Sequence, residues 1–550
     1  GVRTIDNDFQ VVNYRLDIRD DHSLQTTPSL IFQAFLAIQQ RPQLQGMSAR
    51  LLRALWHARR QVDASFRQQA ENRDLFLQIL RQNNGVAEAL AHLNAFNILP
   101  RYIPAFRRIV GQMQHDLFHV YTVDEHTLKV VRNLSRFRMA SHADEYPQAS
   151  QLATSFDSPW LLHAAAIFHD IAKGQGGNHA SRGAGHARRF ALDHGLSEAD
   201  TDLIVFLVTH HLNMSHTAQK RDLSDPDVIH DFATLVGSVR YLDALYLLTV
   251  ADIRATRPNL WNSWKGKLLD DLYQRTLIAL DGDLPDMQAV MAQRQAQARE
   301  EAAALGLPAE QMDALWSVLD MAYFLRHEAH DMLWHAEQIG ANLQPPGPCV
   351  RARTVGQNEA VQVMLWTADQ PDLFSRICRY FERSALSIQD ARIHTTSHGY
   401  ALDSFVATSN EPDTLYATLV DTLQEQLTEF LKIPAEALMS QTSTPSPLGH
   451  AQRRQAQVFP IHPEVRLTRL NSDQQWELSV TGIDRPGLLR ALASIFNEQG
   501  VDLKMAKIHT LGQRIEDSFV LQGEALEHTA SRNAFEAALL AVLENNLPSS

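Results

Sequence analysis

The feature that most restricts the fold is a repeat in the last third of the chain. Asp369-Gln370-Pro371-Asp372-Leu373 returns as Asp484-Arg485-Pro486-Gly487-Leu488. Ala391-Arg392-Ile393-His394-Thr395 returns as Ala506-Lys507-Ile508-His509-Thr510, and Asp403-Ser404-Phe405-Val406 as Asp517-Ser518-Phe519-Val520. Three blocks in one order, with one deletion between them, mark a duplicated unit. In the first copy an alternating apolar stretch, 361–366, precedes an amphipathic stretch from 373 to 381, followed by strand patterns at 388–395 and 401–407. The expectation is two small α/β units, 350–438 and 474–550, joined by a Ser/Thr/Pro/Gln-rich linker over 439–473.

The first 340 residues read differently. Ile31, Phe35 and Ile38, then Leu51, Leu52, Leu55 and Trp56, recur at helical spacing, with Pro28 and Pro42 placed to start and stop the first helix. Helical patterning continues from about 115 to 335 until Gln344-Pro345-Pro346-Gly347-Pro348 ends it. This predicts an all-α lead-in, 1–110, and a second helical domain, 111–340. Apolar residues at 45% and charged residues at 21% allow several cores. A net charge of -13 disfavours a phosphate backbone, so nucleic acid is not an expected partner. Two cysteines cannot build a disulfide framework, and no apolar run approaches the ~20 residues of a membrane span, so a cytoplasmic location is expected with no membrane partner. The start at Gly1, amid an apolar pattern, reads as a piece of a longer protein.

Chemistry concentrates in the second helical domain. The stretch 161–173 is an apolar helix running into His169-Asp170, with Lys173 on the same face. His179 follows a Gly-rich turn, His210-His211 close another apolar helix, Asp252 lies in the apolar run 245–253, and His126 lies upstream. Carboxylates in apolar helices are costly unless paired or metal-bound, and one shared divalent cation would satisfy them all. Mixed imidazole and carboxylate ligands suit Mn, Fe, Co or Zn, and Mg less well. Such an ion would acidify water and neutralise phosphodiester charge. His119, His163, His186 and His230 are read as structural, and Lys173 reads equally well as a helix C-terminal cation.

The ordered set His126, His169-Asp170, His179, His210-His211 and Asp252 resembles the HD phosphohydrolase superfamily. The wording FHVYTVDEH (118–126), FHDIAKGQGGNH (168–179) and VADIRAT (250–256) resembles, more narrowly, the bifunctional uridylyltransferase/uridylyl-removing family of bacterial nitrogen sensing. The duplicated units resemble ACT domains, which the resemblance gives the order βαββαβ. The family's N-terminal transferase motif has no counterpart here, so the resemblance implies the uridylyl-removing half. That half is a metal-dependent hydrolase that frees UMP from a tyrosine of the PII signal protein and is stimulated by glutamine. Expected metal ligands are His126, His169, Asp170, His179, one of the pair His210 and His211 with His211 favoured, and Asp252, with Asp170, Lys173 and His179 catalytic and Mn or Mg the first choice of ion. The chain departs from the family pattern at Asn178 and Gln175, where Asp and Arg are usual. The loss of one carboxylate and one cation there bears on metal occupancy and phosphate affinity.

For glutamine the expected contacts are Asp369, Pro371, Asp484, Pro486, Gly487 and Leu488. Gly487 permits close backbone approach at a helix start, and Asp484 could hold an amino group or cap the helix. Asp372, at the position of Gly487, would repel a carboxylate, which favours the second copy. Two other readings are open: a hydrolase of a small nucleotide, and a glutamine-sensing module with a weakened metal site.

Overall fold

The computed structural model describes residues 1–114, 120–258, 260–282, 286–438, 461–471 and 474–544. They form two compact units: Gly1–Ser215 with Val236–Trp261, and His216–Leu235 with Asn262–Ser550. These units are larger than the expected domains, because segments on either side of 110 and of 340 share cores. In the first unit, Phe32, Phe76 and Tyr102 of the lead-in form one aromatic cluster with Phe190 and His194 of the next region (Phe76–Phe190 centroids 5.9 Å). In the second, helices Met287–Ala304, Ala309–Trp316 and Ala329–Ile339 share a core with Met364, Trp366 and Leu402 of the first repeat. Segments whose side chains build one core group together as one compact unit.

The lead-in is helical except at its start, where Val2–Thr4, Phe9–Val12 and Arg15–Ile18 form a three-stranded antiparallel sheet. Asn13 and Tyr14 join the last two strands with φ of +50° and +63°, the two left-handed residues of a type I′ hairpin. Beyond it, helices Val123–Phe137, Pro159–Phe168, His179–Asp193, Glu198–His210 and Val239–Thr256 carry the residues singled out above. Among the described residues, no single helix is long and apolar enough to cross a membrane.

The second unit holds a nine-stranded antiparallel sheet. Each repeat contributes four main strands and two helices, an α+β arrangement consistent with ACT-like domains. The chain order is ββαββα, not the expected βαββαβ. The first copy runs Cys349–Val355, Ala360–Ala368, Leu373–Arg383, Leu386–Thr395, Tyr400–Ser409, Tyr416–Lys432. The second runs Glu464–Arg469, Gln475–Ile483, Leu488–Glu498, Asp502–Lys507, Arg514–Gln522, Thr529–Glu544, with a short Thr510–Leu511 strand on its side. An edge strand therefore leads each copy, and Glu464–Arg469 lies inside the stretch read as linker. Of that stretch, 439–460 and 472–473 lie outside the described residues. Its Val465 and Leu467 alternate with charged and polar neighbours and pack on the core, the period of a half-buried strand.

The copies join through their inner strands, where Ala391 pairs with Ala506, Arg392 with Met505 and Asp390 with Lys507. Because Ala391 and Ala506 are equivalent in the repeat, these pairings obey a local two-fold axis through them. Strand Ala360–Ala368 is buried on both faces. Val361, Val363 and Leu365 face the repeat helices, while Met364 and Trp366 face the helices of 287–339.

Candidate metal centre

Five of the singled-out segments converge in the first unit. His126 sits in the first turn of Val123–Phe137. His169 and Asp170 follow the last residue of Pro159–Phe168, His179 opens His179–Asp193, and His211 follows the last residue of Glu198–His210. Asp252 lies on Val239–Thr256, which Asn133 ties to the first of these helices by donating to the Ala251 carbonyl (2.9 Å). His126 Nε2 is 2.9 Å from Asp252 Oδ1, and His169 Nε2 is 3.4 Å from Asp170 Oδ2. His179 Nε2 and His211 Nε2 each lie 3.6 Å from Asp170 Oδ1. His126, His169, Asp170 and His211 are buried, while Asp252 and His179 are partly open.

The rings are held in one tautomer. Nδ1 of His126 faces the Ala255 carbonyl at 3.2 Å, that of His169 the Ala166 carbonyl at 2.6 Å, and that of His211 the Val208 carbonyl at 2.8 Å. A carbonyl only accepts, so each Nδ1 carries the proton and each Nε2 turns a lone pair inward. Two of those lone pairs, on His126 and His169, stand 3.3 Å apart. Such a contact is repulsive unless a proton or a cation lies between them.

Electrostatics point the same way. Burial opposes charging of His126, but the hydrogen bond and charge of Asp252 outweigh it and raise its pKa. Burial likewise opposes charging of His169, and Asp170 outweighs it. Burial would raise Asp170, yet Lys173 and His169 hold its carboxyl well below the usual range. Burial would raise Asp252 as well, and the His126 hydrogen bond with the His169 charge keeps it low. Two helix C-termini, of Pro159–Phe168 and Glu198–His210, end at the cluster and add negative potential. The cluster is built to hold positive charge.

The donors fit divalent metal, and they divide into two groups. His126, His169 and Asp170 form one, and Asp170, His179 and His211 form the other, with all ligand atoms in each group within 4.8 Å of one another. Asp170 belongs to both. Its Oδ2 faces His126 and His169, while its Oδ1 faces His179 and His211. A carboxylate with one oxygen turned to each side is suited to bridging two ions.

His210 is not brought into the cluster, which corrects its place among the expected ligands. One residue earlier on the helix, its ring packs on Phe206 (4.9 Å) and its Nδ1 lies 3.2 Å from the Asn213 amide. Lys173 Nζ is 3.5 Å from Asp170 Oδ2 and donates to Gln114, while Gln112 donates to the Lys173 carbonyl (3.1 Å). Asn178 caps the helix that presents His179, accepting from the Ser181 amide at 3.2 Å, and the Gln175 carbonyl accepts from Arg182 at 2.6 Å. His163 packs as a core residue with Nδ1 3.3 Å from the Leu80 carbonyl, and His119 lies outside the described residues. Sequence reasoning missed Gln112, Gln114 and the carbonyls that orient the rings. For His169 and His211 a signal existed: each follows an apolar helix, where a carbonyl three residues back is free to accept.

In the repeats, neither Asp372 nor Gly487 makes a side-chain cap, and Gly487 has φ +84°. The Asp484 carboxyl accepts from the Arg485 amide at the turn before that helix. Each repeat also buries a second carboxyl that was not singled out, Asp403 and Asp517. Burial raises both, and Asp369 raises Asp403 further as Asp484 does Asp517; the latter reaches about 8. Asp517 accepts from the His509 amide at 3.0 Å.

Family models described as uridylyltransferase GlnD third domain, HD domain, and uridylyltransferase GlnD fifth domain match residues 9–102, 115–246 and 286–338. Curated relatives named bifunctional uridylyltransferase/uridylyl-removing enzyme include that of Bordetella bronchiseptica, 52% identical over 99% of this chain and 63% of the relative. Those of Bordetella avium and Cupriavidus pinatubonensis are 50% and 45% identical, each over 98% of this chain and over 63% and 62% of the relative. The chain thus spans less than two thirds of the length of these relatives.

Proposed function

Because the chain belongs to the family of bifunctional uridylyltransferase/uridylyl-removing enzymes, we propose that its first unit is the uridylyl-removing hydrolase. Its substrate is the phosphodiester that joins UMP to a tyrosine of a PII signal protein. The observation that carries this reading is Asp170, shared between two ligand groups in a buried nest of imidazoles. Divalent ions held there, Mn or Mg in the first instance, would acidify a water and offset phosphoryl charge. Water adds to phosphorus, the bond to the tyrosine oxygen breaks, and UMP leaves as the tyrosine regains its proton. Lys173 and His179, with side chains 22% and 30% exposed, stand where the phosphodiester arrives. The Lys173 ammonium adds a positive charge for a phosphoryl oxygen, and Asn178 fixes the helix that presents His179. A cap needs an acceptor, not a charge, so asparagine serves there as aspartate would.

The repeats serve as the glutamine sensor, with the second as the stronger candidate. Asp484 beside buried Asp517 offers an ammonium a paired carboxyl site, and Gly487 opens a helix whose first amides can meet a carboxylate. Pro486 and Leu488 flank that glycine. Asp369 and Pro371 are the first copy's counterparts, where Asp372 replaces the glycine. The free cysteines suit a cytoplasmic location.

The test is UMP release from uridylylated PII protein with Mn²⁺, with and without glutamine. Release that glutamine stimulates, and that His169→Ala with Asp170→Ala abolishes, is expected. No release by the parent chain, or equal release by the double variant, would overturn the hydrolase reading.

A further inference from the structure

The helix that presents His179 also borders a concave feature of the first unit away from the metal ligands. It is a cleft of about 590 Å³, walled by the Ala64–Gln68 helix, the Pro104–Ile109 turn and the far half of His179–Asp193. Its volume is in the range of small-molecule sites. Four arginines line it, Arg67, Arg73, Arg108 and Arg189, against the one carboxylate of Asp193. That balance is opposite in sign to the net charge of the whole chain, -13. Among the described residues, Arg189 alone of the four reaches a carboxylate, Asp193 at 3.7 Å.

Two of the arginines are held in place by backbone. Arg67 Nη1 donates to the Arg101 carbonyl at 2.9 Å, and Arg73 Nε donates to the Arg67 carbonyl at 2.8 Å. Each bond uses one of five N–H donors and leaves the rest of a fixed planar fork. Four guanidiniums gathered from four elements repel one another, and a bound anion would relieve that repulsion. Forked donors in fixed planes match the oxygens of a phosphate group.

We propose that this cleft binds a phosphorylated small molecule of about nucleoside monophosphate size, at a site separate from the metal centre. Phosphate oxygens take the forks of Arg67 and Arg73, and Arg108 and Arg189 close over it from the rim. The cleft touches the Gly-rich turn before His179 at Gln175 and shares the helix that presents His179. A ligand here therefore meets the metal centre through one rigid element. Occupancy does not require hydrolysis, so the site stands whether or not the uridylyl-removing reading does.

The experiment is equilibrium dialysis of labelled UMP against the full chain at fixed ionic strength, in EDTA so that no metal offers a competing anion site. Saturable binding displaced by inorganic phosphate is expected, weakened about tenfold or more by Arg108→Glu with Arg189→Glu. His169→Ala, at the metal centre, should leave it unchanged. No saturable binding, affinity within about twofold of the parent in the charge-reversed variant, or loss of binding in His169→Ala would each overturn the proposal. If the double variant does not fold, Arg108→Ala is read in the same assay: weaker binding supports the site, and undiminished affinity sinks it.

Discussion

Asp170 gives the sharpest predictions at the scale of single residues, because it belongs to both ligand groups. Asp170→Ala should abolish both bound ions, while His126→Ala and His211→Ala should each remove one, as read by elemental analysis of the purified chain. His210→Ala should leave ion content and UMP release within about twofold of the parent, since a substitution away from a site seldom shifts more. A loss of metal in His210→Ala would show that the ring packed on Phe206 is a ligand after all. The sequence favoured His211 only slightly, because neighbours on a helix differ by about 100° in direction and the helix's rotation is set by packing elsewhere. Asp517 was visible only as a marker of the repeat, since nothing local foretells its burial. Its pKa is near 8 in the fold against about 3.9 unfolded, so the folded chain keeps a proton that the unfolded chain releases. Stability from this group is thus full below about pH 4 and declines as pH rises toward 8. Asp517→Asn keeps an acceptor for the His509 amide and should gain on the parent over that window, by on the order of 1–3 kcal/mol at pH 8. Parallel urea titrations at pH 5 and pH 8 measure it.

Among the elements, the helix His179–Asp193 is fitted most closely. A Cβ at Gly183 would stand 3.0 Å from the Phe168 carbonyl and 3.2 Å from Val208 Cγ1, the ends of the two helices that bear His169 and His211. Gly183→Val should cost about 1–3 kcal/mol and lower the ion content, because pushing this helix away withdraws His179. Asn178→Ala should cost about 1 kcal/mol through the lost cap, whereas Asn178→Asp should leave stability within a few tenths. Chemical unfolding alongside metal assays separates these effects. The long helices were legible because their apolar period repeats over several turns. The leading strands of the two repeats were not, since Cys349–Val355 and Glu464–Arg469 set arginines and threonines between few apolar residues. The hairpin at Asn13-Tyr14 was readable in principle, as Phe9–Val12 and Arg15–Ile18 flank a two-residue turn, but asparagine followed by tyrosine is a weaker turn signal than asparagine followed by glycine.

At the scale of the whole molecule, the second unit carries an acid-sensitive core. His327, His335 and His394 are fully or nearly buried around Tyr323, with His327 Nε2 3.0 Å from His394 Nε2 and the Tyr323 hydroxyl 2.8 Å from His335 Nδ1. Burial pushes His335 down to about 4 and holds the other two well below the ordinary value. The unfolded chain therefore takes up protons first, and stability present above about pH 6.5 is lost as pH falls toward 4. Thermal unfolding followed by tryptophan fluorescence should show a falling midpoint over that range; a flat midpoint would refute it. Division of the chain into units was the least legible feature, because Trp366 and Phe190 find their partners far away in sequence.

The antiparallel seam at Ala391 and Ala506 has a further consequence. Repeat modules that pair as separate subunits come apart on dilution, whereas here both halves ride on one polypeptide at a fixed high effective concentration. The seam should then persist at nanomolar protein. Each half is also free to diverge, so one can keep a binding role while the other becomes scaffold, an asymmetry that identical subunits cannot evolve.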